Sequence, residues 1–405
     1  MRIALVSEHA NPMAALGGAD AGGQNVHVAC LATGMAALGH EVTVYTRRDA
    51  ADTAARTQMG RRVVVEQIDA GPPRPVPKDD LLPHMPAFAR ELAARWKTQR
   101  PDVVHAHFWM SGLASLEAAE PLGIPVVQTY HALGVVKQRY QGSADTSPPS
   151  RIETEREIGK TCARIVATCS DELFELVRLG VDRRHISVIP CGVDLERFTP
   201  QGPVAPRGRR HRLLAIGRLV PRKGFDMAIR ALAQLPEAEL VIAGGPPAEQ
   251  LCDEPEAHRL RQIAAECDVA DRVKLLGAVP RGDMPALLRS AELVLCTPWY
   301  EPFGIVPLEA MASGIPVVAS AVGGLTDTVL DGVTGVLVPP RAPDALADAL
   351  KPLIKDRELR RQLGLNGLLR ARSRYGWPRI ARRTAEVYSR LVAEGTGRIE
   401  EAVNR

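Results

Sequence analysis

A chain of 405 residues is too long for one ordinary hydrophobic core and points to two domains. Hydrophobic residues make up 45% of it, a globular composition that excludes a disordered polymer. The formal net charge of +4 allows an anionic ligand but leaves no footprint for nucleic acid, and no apolar run is long enough to span a bilayer.

The chain opens directly on a strand-like run, Met1-Arg2-Ile3-Ala4-Leu5-Val6, with no basic n-region or signal-type h-region before it. Further strands are expected at Val42–Thr46, Val63–Ile68, Val103–His107, Pro125–Tyr130, Ile165–Cys169 and Ile186–Pro190, after a first one at Ile3–Ser7. Between the first two, Val28, Leu31, Met35 and Leu38 recur at three- and four-residue steps, which predicts a helix from about Gln24 to Gly39, with Gly39 ending it. Most of the strands are continuous apolar runs, as in a parallel sheet covered on both faces, and strand–helix alternation gives a doubly wound α/β domain.

Thr199 to Arg212 is rich in Pro, Gly and Arg, lacks periodicity and is expected to link two domains. Its basic run, Arg207 to Arg212, broken by Gly208 and His211, fits a solvated linker better than a phosphate site. The pattern then restarts, with strands at Leu213–Ile216, Leu240–Ala243, Val273–Leu276, Leu293–Cys296, Pro316–Ala319 and Gly335–Val338. A last helix, about Trp377 to Glu394, has no strand after it and could dock on either domain. Two such domains place their ligands beyond the carboxyl ends of the strands, so a cleft between them is where chemistry is sought. The seven cysteines contain no C-x-x-C pair and several fall in strand-like runs, so buried thiols of a reducing, cytoplasmic compartment are expected. Loose attachment to a membrane surface stays open.

Four loops carry candidate chemistry. Gly17-Gly18-Ala19-Asp20-Ala21-Gly22-Gly23-Gln24-Asn25 follows the first strand and opens a helix, where backbone amides can approach a phosphate; it is not G-x-G-x-x-G, and an ordinary flexible connection is equally compatible. Gly217-Arg218-Leu219-Val220-Pro221-Arg222-Lys223-Gly224 puts Arg218 and Lys223 in one strand-to-helix loop, where two cations suit a diphosphate and the charge that grows on it as a sugar leaves. Alone, these would read as two surface bases. Glu301-Pro302-Phe303-Gly304-Ile305-Val306-Pro307-Leu308-Glu309 places two carboxylates eight positions apart, Glu301 in a loop and Glu309 in the first turn of a helix whose first position suits Pro307. Glu301 can face a substrate hydroxyl and Glu309 a ribose, with free amides at the helix start facing phosphates. In Gln128-Thr129-Tyr130-His131-Ala132-Leu133-Gly134, His131 stands at a strand's carboxyl end. His105 and His107 read as satisfied structural histidines; no acid completes a metal site with them, and none is expected.

Together, the carboxylate pair, the Arg218/Lys223 pair, the Gly22-Gly23 loop and His131 resemble glycosyltransferase family four, the retaining GT-B enzymes, in order and over essentially the whole chain. Within it the amino-terminal half looks most like the branch that makes mycothiol precursors by joining N-acetylglucosamine to inositol phosphate. Gly22-Gly23-Gln24-Asn25-Val26, His105-Ala106-His107-Phe108-Trp109-Met110-Ser111-Gly112 and Val135-Val136-Lys137 carry that likeness. Sucrose-phosphate synthases look more distant.

The resemblance implies an α/β, GT-B architecture of two Rossmann-like domains facing a cleft. Residues 1–198 would bind the acceptor and 199–376 the nucleotide sugar, with a carboxy-terminal helix, 377–396, packing back on the first domain. Arg218 and Lys223 would hold the donor diphosphate, Glu309 the ribose and Glu301 the sugar hydroxyls. Gly22, Gly23, Gly304 and Ile305 would add donor-side amides, the Gly277-to-Met284 segment would border the base, and His131 would lie beneath the anomeric carbon. The mycothiol branch has a Thr after the catalytic His and a Tyr where this chain has Ala132 and Phe108. Two hydroxyls of the acceptor phosphate pocket are therefore missing, while Asn25, Lys78 and Arg151 remain as acceptor contacts. The implied reaction moves GlcNAc or Glc from a UDP-sugar to a small polar or phosphorylated acceptor, without a metal or other cofactor; there is no Asp-x-Asp pair. A GDP-mannose donor and a homodimer stay open. Rival readings are a sugar-nucleotide epimerase or hydrolase, a non-catalytic nucleotide-sugar binder and, weakest, a nicotinamide oxidoreductase.

Overall fold

The computed structural model describes residues 1–14 and 22–403, side chains from 395 onward excepted, so residues 17–21 of the first glycine loop lie outside it. The chain forms two compact units. One runs from the amino terminus to Pro190 and is completed by the chain from Trp377 on; the other spans Cys191–Gly376.

The first unit runs β1 (Arg2–Val6), α1 (Gly23–Ala37), β2 (Glu41–Arg47), β3 (Arg56–Gly60), β4 (Val63–Ile68), α2 (Met85–Thr98), β5 (Val103–His107), α3 (Trp109–Ala119), β6 (Val126–Thr129), α4 (Gly134–Gln141), α5 (Arg151–Thr161), β7 (Arg164–Ala167), α6 (Ser170–Arg178) and β8 (Ile186–Val188). The second runs β9 (His211–Ile216), α7 (Phe225–Leu232), β10 (Ala238–Ala243), α8 (Pro255–Glu266), β11 (Val273–Gly277), α9 (Met284–Arg289), β12 (Leu293–Cys296), α10 (Ile305–Ala312), β13 (Val317–Ser320), α11 (Leu325–Thr328), β14 (Gly335–Val338), α12 (Pro343–Lys355) and α13 (Arg357–Arg374). The final helix α14 (Trp377–Val403) belongs to the first unit.

The first sheet has the order β3-β4-β2-β1-β5-β6-β7-β8. Neighbours are parallel except β3 and β4, which pair antiparallel. The edge strand β3 was not expected from the sequence: Arg56-Thr57-Gln58-Met59-Gly60 alternates between exposed and half-buried positions and has no apolar run. The second sheet, β11-β10-β9-β12-β13-β14, is wholly parallel. In both, the order reverses next to the first strand, between β1 and β5 and between β9 and β12. That is where a doubly wound sheet opens a crevice at its carboxyl edge.

Side-chain alternation packs both faces of each sheet. In β9, Leu213 and Ala215 face α7, α8 and α12, while Leu214 faces the layer of Leu308 and Met311 from α10. In the first unit, Ile3, Leu5, Val42, Val44 and Val103 pack with Val28, Leu31 and Met35 of α1 and with Ile380, Tyr388 and Leu391 of α14. The crossing of α1 with α14 is close: a side chain at Gly34 would meet the Ala381 Cβ at 2.7 Å. Leu38, expected on the apolar face of α1, instead lies past its last turn and is exposed, and Gly39 follows with φ 91°.

None of the seven cysteines is in a disulfide; Cys162, Cys169 and Cys191 are buried, and Cys252 is exposed, against expectation. No described helix is long and apolar enough to cross a membrane.

Candidate active site

In the second unit the crevice is flanked by the loops after β9 and β12, adjacent parallel strands. Lys223 ends a short turn, Pro221–Lys223, and Gly224 then turns with φ 66° to start α7. A Cβ at Gly224 would collide with the Thr297 carbonyl of the other loop, so only glycine lets the two loops touch. The Thr297 hydroxyl donates to the Gly224 carbonyl at 2.9 Å, and the Trp299 amide to the Arg222 carbonyl at 2.8 Å. Across this seam the Lys223 ammonium donates to the Glu301 carboxylate.

Burial works to raise the Glu301 carboxyl, but Lys223, then Arg222, with hydrogen bonds from Lys223 and the Phe303 amide, hold it below the ordinary carboxylate value. Arg218 lies two residues beyond β9 in the same loop. The sequence-predicted cation and carboxylate loops therefore meet.

Gly304, φ 73°, is the N-cap of α10, and Ile305 is its first residue. Two expectations shift. Pro307 is third in the helix, not first, and Glu309 is fifth, past the opening turn, because the left-handed Gly304 starts the helix two residues early. Glu309 is buried and accepts from Arg281 Nη2 at 3.1 Å. Burial pushes its carboxyl up to about 7, with Arg281 opposing. Arg281 comes from the segment between β11 and α9, where no local pattern singles it out.

In the first unit, Gly22 and Gly23 open α1, and the backbone at Gly22 is extended, with open space where a Cβ would point. Asn25 is buried; its Oδ1 accepts from the Gly22 amide at 2.9 Å and its Nδ2 donates to the Asn11 carbonyl at 2.8 Å, so it braces the loop that leads into α1. Gln24 Nε2 reaches Ser7 Oγ at 3.1 Å and the His107 carbonyl at 3.3 Å, tying the helix start to the ends of β1 and β5.

Phe108, just past β5, has φ 82° and ψ 157°, a region normally left to glycine. Its amide donates to the Thr129 carbonyl at 2.8 Å, and its own carbonyl accepts from the Gly112 amide at 3.0 Å and Gln128 Nε2 at 3.1 Å. The ring it presents is flanked by two of the predicted acceptor residues. The Arg151 guanidinium lies 5.0 Å and the Lys78 ammonium 6.0 Å from its centre. Arg151 is held by the Ala132 carbonyl at 2.6 Å, Glu155 at 2.8 Å and Ser147 at 3.1 Å.

His131, φ 64°, is the second strained non-glycine residue here. Its Nε2 lies 2.9 Å from His107 Nδ1. His27 of α1 stands edge-on to it at 5.1 Å between ring centres and in turn meets Trp377. Burial holds His131 and His107 well below the ordinary histidine value and lowers His27 to about 4. His107 was expected to be a satisfied structural histidine; its contact with His131 makes it part of the site.

Glu8 and His9 were also missed. His9 Nδ1 bonds Glu8 at 2.7 Å and stacks edge-on against Phe108, while Glu8 accepts from Ser111. The signal was available, since Ser7-Glu8-His9 directly follows β1 at the switch point.

Residues 21–197 match the model for Glycosyltransferase Family 4 and residues 202–370 that for Glycosyl transferases group 1. The D-inositol 3-phosphate glycosyltransferase of Kribbella flavida is 36% identical over 407 residues, covering 96% of this chain and 95% of the relative. That of Pseudarthrobacter chlorophenolicus is 36% identical over 420 residues, covering 99% and 98%. Among solved structures, sucrose-phosphate synthase from Thermosynechococcus elongatus superposes with a TM-score of 0.90 at 31% identity, covering 97% of this chain and 99% of its own. Anabaena HepE in complex with UDP shares the fold, with a TM-score of 0.77 at 21% identity over 96% of this chain and all of that one. The chain belongs to glycosyltransferase family 4 and is a glycosyltransferase of the GT-B type.

Proposed function

We propose that this enzyme moves a glucosyl or N-acetylglucosaminyl group from a UDP-sugar to a small polar or phosphorylated acceptor, with retention at the anomeric carbon and without a metal ion. The observation that carries the reading is the pairing of Lys223 with Glu301 across the crevice of the second sheet. It sets a cation for the diphosphate beside a carboxylate for the sugar hydroxyls. Arg218, Lys223 and the amides of Gly304 and Ile305 at the start of α10 would meet the charge that builds on the leaving diphosphate, the task a divalent ion performs elsewhere. Glu309 would accept from the ribose hydroxyls.

In the first unit, Lys78 and Arg151 over Phe108 favour an acceptor that carries negative charge, and Asn25 would shape the same pocket. D-inositol 3-phosphate glycosyltransferases use such an acceptor by name. UDP is the nucleotide in the HepE complexes and makes the first donor to test. In the reaction, the bond from the anomeric carbon to the diphosphate oxygen breaks and a bond to the acceptor oxygen forms on the same face. The acceptor's proton passes to the departing phosphate oxygen.

The test is transfer from UDP-glucose and UDP-N-acetylglucosamine to a panel of phosphorylated polyols and sugars in EDTA, with the product's anomeric proton read by NMR. An α-linked product formed at full rate in chelator is expected. An inverted linkage, or dependence on added metal, contradicts the proposal, and rapid conversion of the donor without acceptor favours an epimerase or hydrolase.

A further inference from the structure

Three loops at the carboxyl edge of the second sheet meet on one segment. The strands β12, β13 and β14 are parallel neighbours, so the loops that follow them lie side by side. The loop after β12 carries Trp299, Tyr300 and Glu301. Its backbone is held at two points. The Trp299 amide is tied to the Arg222 carbonyl of the cation loop, and the Gly324 amide of the loop after β13 donates to the Glu301 carbonyl at 2.8 Å. Gly323, φ 48°, passes so near that a Cβ there would lie 2.4 Å from the same carbonyl.

The third loop grips a side chain. Pro339-Pro340-Arg341-Ala342 joins β14 to α12. Arg341 has φ 57°, a left-handed backbone that is costly for an arginine and nearly free for a glycine. Its guanidinium lies 4.0 Å from the centre of the Trp299 ring, well inside cation–π range. Arg62 and Asp268 share the left-handed backbone, so strain alone marks no site; the stack on Trp299 sets Arg341 apart. Arg341 is exposed and Trp299 half-buried, so the contact closes over the loop from the solvent side and fills no core.

We propose that Arg341 is a positioning residue: stacked on Trp299, it clamps the loop that presents Glu301 and keeps that carboxylate against Lys223. The contact offsets the strain in its backbone. Its effect on the reaction runs through Trp299 and the loop, not through contact with substrate. The inference rests on the proposed role of Glu301 toward the donor sugar.

Turnover, UDP affinity and urea unfolding of Arg341→Ala and Arg341→Gly test it. Both variants should lose about tenfold in kcat, while UDP, which lacks the sugar, should bind within about twofold of wild type. Because glycine takes a left-handed backbone freely, Arg341→Gly should unfold at a higher urea midpoint than Arg341→Ala and yet be as slow. Turnover that follows the unfolding midpoint would show a merely structural role, and wild-type turnover by Arg341→Gly would overturn the inference outright. Trp299→Phe, which keeps a ring beneath the cation, should retain most of the activity, whereas Trp299→Leu should lose as much as Arg341→Gly. In the Trp299→Leu background Arg341→Gly should cost less than about twofold, because its effect runs through the ring. The same loss in both backgrounds contradicts the clamp. Glu301→Gln separates this inference from the reading of the site. If Glu301→Gln turns over normally, the role of Glu301 fails and the positioning claim with it; if Glu301→Gln is impaired and Arg341→Gly is not, the positioning claim alone fails.

Discussion

Lys223 and Glu301 are 78 residues apart in sequence, yet the ammonium of one donates to the carboxylate of the other. They meet because β9 and β12 are neighbours in the sheet and Gly224 lets their loops close on each other. Lys223→Ala removes both the cation proposed for the diphosphate and the main favourable charge on a half-buried carboxyl. The expected result is a fall in kcat of about 10²–10³-fold and a Glu301 carboxyl displaced upward. Steady-state kinetics against donor concentration checks it, and a change confined to KM would assign Lys223 to uniform binding only.

Glu309 predicts a pH dependence of nucleotide affinity. Its carboxyl sits at about 7, above the ordinary value, so it is protonated below that pH and ionised above it. Only the ionised form accepts from two ribose hydroxyls at once. Affinity for UDP should therefore strengthen as pH rises from 6 to 8, by up to about tenfold. Titration calorimetry across that range checks this. Glu309→Gln should flatten the component, and Arg281→Ala should move its midpoint upward by removing the opposing cation.

The histidine cluster predicts loss of stability in acid. Folded His27 and His105 titrate at about 4 and about 3, below the unfolded value of 6.5. As pH falls below 6.5 the unfolded chain takes up protons that the folded unit refuses, so stability drops by on the order of 1 kcal/mol per histidine per pH unit. Glu172, raised by burial to about 7, works the other way, since it holds a proton in the folded state that the unfolded chain has lost. Glu155, also raised by burial, adds to Glu172, but the lowered histidines, with His107 and His131 beside His27 and His105, outnumber the two. Trp96, Trp109 and Trp377 lie in the first unit and Trp299 in the second. Fluorescence-monitored urea unfolding of a Trp299→Phe protein should thus give a lower midpoint at pH 5.5 than at pH 7.5.

Gly224→Ala tests the seam between the two loops. A methyl group there combines a left-handed backbone with a collision against the Thr297 carbonyl. Destabilisation of about 2 kcal/mol or more is expected, with loss of UDP binding in the protein that remains folded. Denaturant unfolding and calorimetry on the same preparation separate the two effects.

The parallel strands were legible because buried strands such as Leu213–Ile216 and Leu293–Cys296 are unbroken apolar runs with glycine or proline nearby. The edge strand β3 was not: half-exposed and polar, it owes its structure to pairing with β4, a non-local cause that a period of two over five residues does not reveal. The carboxylate and cation loops were legible because each follows a recognisable strand, so topology alone brings them together. Helix α10 was misplaced by two residues because its start is set by the left-handed conformation of Gly304. His107 and Arg281 were missed for a shared reason. A lone histidine or arginine carries no local signal, and their significance comes entirely from partners 24 and 28 residues away.

Calorimetric titration of UDP, GDP and ADP into the wild-type chain and into Lys223→Ala and Arg218→Ala tests the account most directly. The account predicts that UDP binds the wild type most tightly and that each variant binds it at least about tenfold more weakly. UDP binding that is undiminished in both variants would contradict it.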